Sequence, residues 1–350
     1  MKILYAGSLS ANDSALYRLW ALERLGHKVI PLNSISYAAT NPIVQRIVFR
    51  LVMGPQVDRL NRDILEMAER ERPDVVWADK LLWMKPSTVQ RLRSLGIVTV
   101  SYMIDNAFGP RRDPGWRLYM KTIPQYDLHV VQRSKNIEDY RSRGARDVIK
   151  IQTAYEPTLQ FPPPADWSDR NRNREVSFCG TPYDDRASVL ARLSNEFGVV
   201  ISGSERSWKR ALGPDQFTKL YREGELHLDK YRDAIWRSKI NLSFITHSNQ
   251  DEFVHKSFEI AACGGFLLAE RSQGHLDRFV EGEEAVFFTG YDELAAQIRR
   301  YLPDESARAR IAAAGQRRAE RDGYHNDRQV GLIVERIESI LRSEPESTSR

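Results

Sequence analysis

The residues best suited to chemistry are concentrated in one stretch, Asp251-Glu252-Phe253-Val254-His255-Lys256-Ser257-Phe258-Glu259, which runs on through Ile260-Ala261-Ala262-Cys263-Gly264-Gly265 into the apolar Phe266-Leu267-Leu268-Ala269. Two acids, Asp251 and Glu259, stand eight residues apart, and Glu259 opens a helix of small residues. His255 and Lys256 lie just before that helix, where its positive end and free N–H groups would face an anion. A carboxylate in the first turn can accept two hydrogen bonds from a vicinal diol such as ribose, while Lys256 and the helix start neutralise a diphosphate. The competing reading is an amphipathic helix with a solvated Glu259 and a glycine C-cap.

Other candidates are scattered along the chain. Asp105 and Asn106 follow an apolar strand at its C-terminal end, where a cleft residue is expected, with a turn-forming Asp-Asn as the alternative. His247, just after a strand ending at Phe244, would point into a cleft, whereas His129 sits inside a strand and reads as a core residue. Gly203 ends another strand and permits close backbone approach or a plain turn. There is no G-x-x-x-x-G-K-[ST] loop, no three-glycine dinucleotide fingerprint in Ala6-Gly7-Ser8-Leu9-Ser10-Ala11, no G-x-S-x-G elbow and no H-E-x-x-H helix. Cys179 and Cys263 form no C-x-x-C or Cys/His cluster, so no metal site and no disulfide are expected, and both read as small buried hydrophobes.

These residues need a scaffold, and 350 residues suffice for two domains. Strands are expected at 2–7, 28–32, 73–77, 96–103, 126–131 and 147–151, with helices at 13–25, 55–71 and 86–94 between them, which is the rhythm of βαβ crossovers in a parallel sheet. Residues 157–174 contain four prolines and little periodicity and read as an exposed linker. Alternation then restarts, with strands at 175–180, 198–203, 240–244, 265–269 and 285–288 and helices at 184–197, 229–238 and 256–263. The organisation expected is an N-terminal Rossmann-like domain at 1–156, a linker at 157–174, a C-terminal Rossmann-like domain at 175–325, a helix at 326–342 and a disordered tail at 343–350. Two such doubly wound α/β domains would face each other across a cleft at the C-terminal edges of their sheets.

Charge is uneven. Residues 1–165 carry 24 Lys+Arg against 16 Asp+Glu, whereas 166–350 carry 28 against 31. Without a helix-turn-helix, RNP or zinc-finger pattern the basic half does not point to nucleic acid. The segment 43–53 has apolar residues at 43, 44, 47, 48, 51 and 52 with Arg46 and Arg50 between them. Its expected role is a core-packing helix, with contact to a membrane surface or lipid-linked acceptor as the alternative. No signal-peptide pattern or run of about 18 apolar residues occurs, so the expected location is the cytoplasm, with the inner face of the membrane as the variant.

The run Phe258 to Leu268 resembles the FE-I-x-A-x-G-x-F-L-L core of CgeB-like (spore-maturation type) group 1 glycosyltransferases. Val176-Ser177-Phe178-Cys179-Gly180-Thr181-Pro182-Tyr183, Trp236 to Phe244, Leu276 to Phe288 and Tyr291-Asp292-Glu293-Leu294 are similar to further family stretches, in order over about 175–325. The resemblance implies a GT-B architecture, with a nucleotide-diphosphate sugar bound by the second domain, an acceptor by the first, no bound metal or cofactor, and a lean towards retention of configuration. By resemblance Asp251 and Glu259 occupy an E-x7-E pair, the first acid near the donor sugar and the second on ribose. Aspartate replaces glutamate at 251, and Lys256 stands where arginine is frequent, which keeps the charge but loses the bidentate fork. The family's glycine loop carries Arg after Gly and Lys six residues on; here Gly180 is followed by Thr181 and, six on, by Arg186. The donor set implied is Gly180, Arg186, Gly203, His255, Lys256 and Glu259, with Asp105, His247 and Asp251 as catalytic candidates. The acceptor implied is a glycan, a lipid-linked compound or a small molecule. Alternatives are a nucleotide-sugar epimerase or hydrolase on the same fold, and a sugar-nucleotide-binding protein without turnover.

Overall fold

The computed structural model describes residues 1–110 and 113–343, and the expected tail at 343–350 lies outside them except for Ser343. Among these residues the chain forms two compact units, Met1–Gln152 with Asn326 onwards, and Thr153–His325.

The first unit is built on β1 (Lys2–Gly7), β2 (Lys28–Asn33), β3 (Val75–Asp79), β4 (Val98–Tyr102), β5 (Leu128–Val131) and β6 (Val148–Lys150). Their order is β2-β1-β3-β4-β5-β6 and every pairing is parallel. All residues of β3 and β4 are buried, as required of central parallel strands covered by helices on both faces. The Pro55–Glu71 helix begins with proline at its first turn and buries Val57, Leu60, Ile64 and Ala68, a three-to-four-residue spacing that lays one face on the sheet. The C-terminal Asn326–Ser343 helix belongs to this unit: Val330, Ile333, Val334 and Ile337 pack with Leu19, Leu22 and the β1, β3 and β4 side chains. His129 lies fully buried in β5 with Nε2 2.8 Å from the Ile123 carbonyl, and burial lowers its pKa to about 4.

The second unit contains β7 (Arg174–Cys179), β8 (Val199–Ser202), β9 (Tyr221–Glu223), β10 (Ser238–Ser243), β11 (Leu267–Glu270) and β12 (Val286–Phe288), in the order β12-β11-β10-β7-β8-β9, again all parallel. The edge strand β9 has no counterpart in the sequence reading, because Tyr221-Arg222-Glu223 has neither an apolar run nor alternation. The 157–174 segment, expected as an exposed linker, is attached to this unit. Trp167 donates to the Trp236 carbonyl at 3.2 Å, Trp236 donates to the Phe161 carbonyl at 3.0 Å, and Arg232 lies over the Phe161 ring. Aromatic anchors override the proline content there.

One expectation is corrected outright. In the Pro42–Leu51 helix only Val48 is buried, so the segment does not pack into the core as expected. The 3.6-residue spacing of its apolar positions is real, but its apolar stripe lies away from the rest of the unit.

Candidate active site

In an open parallel sheet the ligand crevice lies where consecutive connections leave the first strand in opposite directions. In the second unit that point is the C-terminal corner between β7 and β10, since β7 pairs with β8 on one side and β10 on the other. The residues singled out from sequence in this unit gather around this corner.

Gly180 follows β7 and Gly203 follows β8, and they touch. A Cβ on Gly203 would stand 2.2 Å from the Gly180 carbonyl oxygen, and Gly203 has φ +148°, so only glycine fits without displacement. Trp208 Nε1 donates to the same carbonyl at 2.9 Å and fixes the loop. A Cβ on Gly180 would meet Lys256 Cε at 2.8 Å, so the lysine stem lies against bare backbone.

Lys256 is in the first turn of the His255–Ala262 helix, whose N-cap Val254 supplies no side-chain cap. Among the described residues its ammonium makes no hydrogen bond or ion pair; the Tyr231 ring lies 5.5 Å away. One turn along, half-buried Glu259 accepts a hydrogen bond from the Tyr231 hydroxyl at 2.9 Å. Desolvation raises the Glu259 carboxyl above its ordinary range, opposed by the Lys256 charge and the Tyr231 hydrogen bond. The same helix is pinned from beneath. Ser257 Oγ lies 2.9 Å from Ser243 Oγ of β10 and 2.8 Å from His275 Nε2, while His275 Nδ1 lies 2.8 Å from the Glu270 carbonyl. His275 is fully buried, which lowers its pKa to about 4; it is neutral at pH 7 and donates to that carbonyl through Nδ1.

Arg186 opens the Arg186–Leu193 helix and is buried, reaching across the corner to β10. Its guanidinium donates to the carbonyls of Thr181 (3.2 Å), Phe244 (3.3 Å) and Ile245 (3.0 Å) and to Thr246 Oγ1 (3.0 Å), leaving buried Nε without a protein partner. Burial lowers its pKa, and the charges of Asp184, then Glu270 and Asp251, oppose that. Most of its donors are therefore already engaged in holding β7 to β10.

His247 is exposed, with Nε2 2.7 Å from Glu270 Oε1, and its backbone N–H donates to Asp184 Oδ2 at 3.0 Å. Glu270 also accepts from the Ile245 N–H through Oε2 at 2.9 Å, so its carboxylate is fixed. Asp251 accepts from Asn249 Nδ2 at 2.9 Å. His255 is half-buried at the helix start. Asp105 belongs to the first unit, after β4, and pairs with Lys80 Nζ at 2.7 Å.

The sequence reading missed Tyr231, Glu270 and the Ser243–Ser257–His275 chain. Glu270 carried a usable signal, an acid ending an apolar strand, the same one that selected Asp105. Tyr231 lies in a different helix, Leu228–Trp236, and its meeting with Glu259 is a matter of packing that spacing does not encode. Among the described residues no group of three or more His, Cys, Asp or Glu is arranged to hold a metal.

Residues 186–335 match the glycosyl transferase-like family. Comparison with curated proteins finds no match. Similar solved structures cover nearly the whole chain at low identity. Sucrose-phosphate synthase from Thermosynechococcus elongatus has a TM-score of 0.72 at 14% identity, covering 98% of this chain and 100% of its own. Anabaena HepE in complex with UDP-glucose has a TM-score of 0.67 at 15% identity, covering 97% and 100%. A glycosyltransferase from Rickettsia africae has a TM-score of 0.66 at 12% identity, covering 98% and 99%. The chain thus has the GT-B fold of two Rossmann-like units and carries a glycosyl transferase-like domain over 186–335.

Proposed function

We propose that this chain is a glycosyltransferase that moves a sugar from a nucleotide-diphosphate sugar to a hydroxyl acceptor, as a CgeB-like group 1 enzyme. One observation carries the reading: the Lys256 ammonium, without an ion pair among the described residues, lies over Gly180 at the start of a helix with no side-chain cap, with Glu259 one turn further on and oriented by Tyr231. This arrangement has a cation at a helix start for a diphosphate, and a carboxylate acceptor for a ribose diol. Similar folds crystallised with UDP and UDP-glucose support uracil as the base to test first.

The acceptor oxygen forms a bond to the anomeric carbon as the bond from that carbon to the diphosphate oxygen breaks, and the electron pair leaves with the diphosphate. Lys256 and the helix start stabilise the charge that builds there, a role we assign without a resident metal. In the retaining course, which the two-acid motif favours, the acceptor proton passes to the leaving phosphate oxygen on the same face. Glu270 holds His247 at the end of the corner beyond β10, where His247 and Asp251 are assigned to the donor sugar, and Asp105 to the acceptor.

The test is a thermal-shift panel of UDP, GDP, dTDP and CMP, with and without EDTA, on the wild type and Glu259→Ala. A ligand at a hundredfold excess over its dissociation constant adds about 2.7 kcal/mol of apparent stability. One nucleoside diphosphate should stabilise the wild type regardless of EDTA and fail on the variant. Absence of any shift, or a shift that needs Mg²⁺, would overturn the donor assignment and favour a binding protein of another kind.

A further inference from the structure

The Pro42–Leu51 helix and the residues after it present a surface that the donor site does not explain. Ile43, Ile47, Leu51 and Met53 are 69%, 51%, 52% and 62% exposed, and Val44 is exposed beside them. On a helix of 3.6 residues per turn Ile43, Val44, Ile47 and Leu51 fall on one outward stripe, flanked by Arg46 and Arg50, while Val48 faces the unit. The helix is fixed in place: Asn41 caps it through the N–H groups of Ile43 and Val44, Gln45 Oε1 accepts from the Ala39 N–H at 2.7 Å, and Arg117 donates to the Arg50 carbonyl at 2.7 Å. The exposed stripe is thus held outwards by its own contacts.

Charge identifies the occupant. Between Glu23 and Asp58 the sequence contains no acid. Arg46, Arg50 and Arg117 make no ion pair among the described residues. The hollow beside them, lined by Arg50, Trp116, Arg117 and Met120, contains one acid, Asp113, whose Oδ1 accepts from the Gly115 N–H. A two-fold contact with a second copy would bring Arg46 and Arg50 against the same cations and is disfavoured by charge. A surface offering both an apolar interior and negative headgroups satisfies stripe and arginines together, and no helix among the described residues is long and apolar enough to cross a bilayer.

We propose that the first unit docks on an anionic phospholipid bilayer through residues 42–53, with Ile43, Ile47, Leu51 and Met53 inserted at the headgroup boundary and Arg46, Arg50 and Arg117 against lipid phosphates. The stripe begins after the C-terminal end of β2, and Asp105 follows the C-terminal end of β4, the same edge of a parallel sheet. Docking there suits an acceptor presented at a lipid surface, but it stands independently of the donor assignment.

The test is co-sedimentation of the full chain with phosphatidylcholine vesicles, with and without phosphatidylglycerol, at low and high salt. The wild type should sediment with the anionic vesicles, less so at high salt, and remain in solution with phosphatidylcholine alone. Arg46→Glu with Arg50→Glu should weaken binding by about fivefold or more for each arginine removed. Ile47→Glu with Leu51→Glu should abolish it, with an unchanged thermal unfolding midpoint showing that the variant is folded. No sedimentation of the wild type with anionic vesicles, or equal binding by the variants, would overturn the proposal. So would a wild-type dimer in sedimentation equilibrium that Ile47→Glu with Leu51→Glu converts to monomer, which would make the stripe a subunit interface.

Discussion

In the first unit Arg18 reaches from the helix after β1 to Asp79 at the end of β3, with Nε and Nη2 at 2.7 and 2.8 Å from the two carboxylate oxygens. In the second unit Arg186 reaches from the helix after β7 to the backbone beyond β10. Both arginines span the switch point of a six-stranded parallel sheet, between β1 and β3 in the first unit and between β7 and β10 in the second. The difference lies in what they meet. Asp79 cancels the Arg18 charge within the protein, the Tyr5 hydroxyl donates to the same carboxylate at 2.5 Å, and Tyr102 stacks under the guanidinium at 4.1 Å. Arg186 donates to carbonyls and a hydroxyl and lies near the Phe178, Tyr183 and Phe244 rings, and among the described residues neither it nor Lys256 beside Gly180 makes an ion pair. One corner is filled by its own ions and serves stability. Among the described residues the other keeps two cations, Arg186 and Lys256, without an ion pair, which suits a diphosphate.

The contrast is most sharply broken at Asp79. Asp79→Ala leaves Arg18 buried without its partner and should cost about 3–5 kcal/mol in denaturant unfolding, with UDP binding by the second unit retained at temperatures where the fold persists. Lys256→Ala should do the reverse, weakening UDP by about 1.5–3 kcal/mol in calorimetric titration while unfolding free energy stays within about 0.5 kcal/mol of wild type. Gly203→Ala forces a Cβ against the Gly180 carbonyl at positive φ and should destabilise by about 1–3 kcal/mol. Gly26→Ala, where a Cβ would meet nothing within 4 Å, should cost less, about 1 kcal/mol, from its φ of +83° alone.

Acid weakens both units through one buried histidine each, His129 and His275, whose pKa values fall to about 4 from an ordinary 6.5. Both are held neutral in the fold, so the unfolded chain binds more protons. Their contribution is fully present above pH 6.5 and declines as pH falls from 6.5 towards 4, by about 1 kcal/mol per pH unit for each. His275→Gln should flatten that slope by the share of one histidine, as read from unfolding at a series of pH values.

The sequence disclosed the repeated strand–helix rhythm, because central parallel strands are apolar on both faces and their runs are unmistakable. It also placed Lys256 and Glu259 close together, because they share one short helix and local spacing carries their geometry. What it did not disclose depends on packing between distant segments. Arg186 was picked out by position, but its engagement with Phe244 and Ile245 was not legible. Apolar periodicity identified the amphipathic character of 43–53 and of the terminal helix alike. One stripe lies in solvent and the other against β1, β3 and β4, because periodicity defines a face and not its partner.

The most direct test of the central claim is hydrogen–deuterium exchange of the full chain with and without UDP, which reports opening of backbone hydrogen bonds segment by segment. Slower exchange at 178–182, 202–204 and 254–260, with 7–10 and 79–81 unchanged, is the result expected if the β7/β10 corner is the nucleotide site. Protection at the β1/β3 corner, or none at the start of the 255–262 helix, would contradict it.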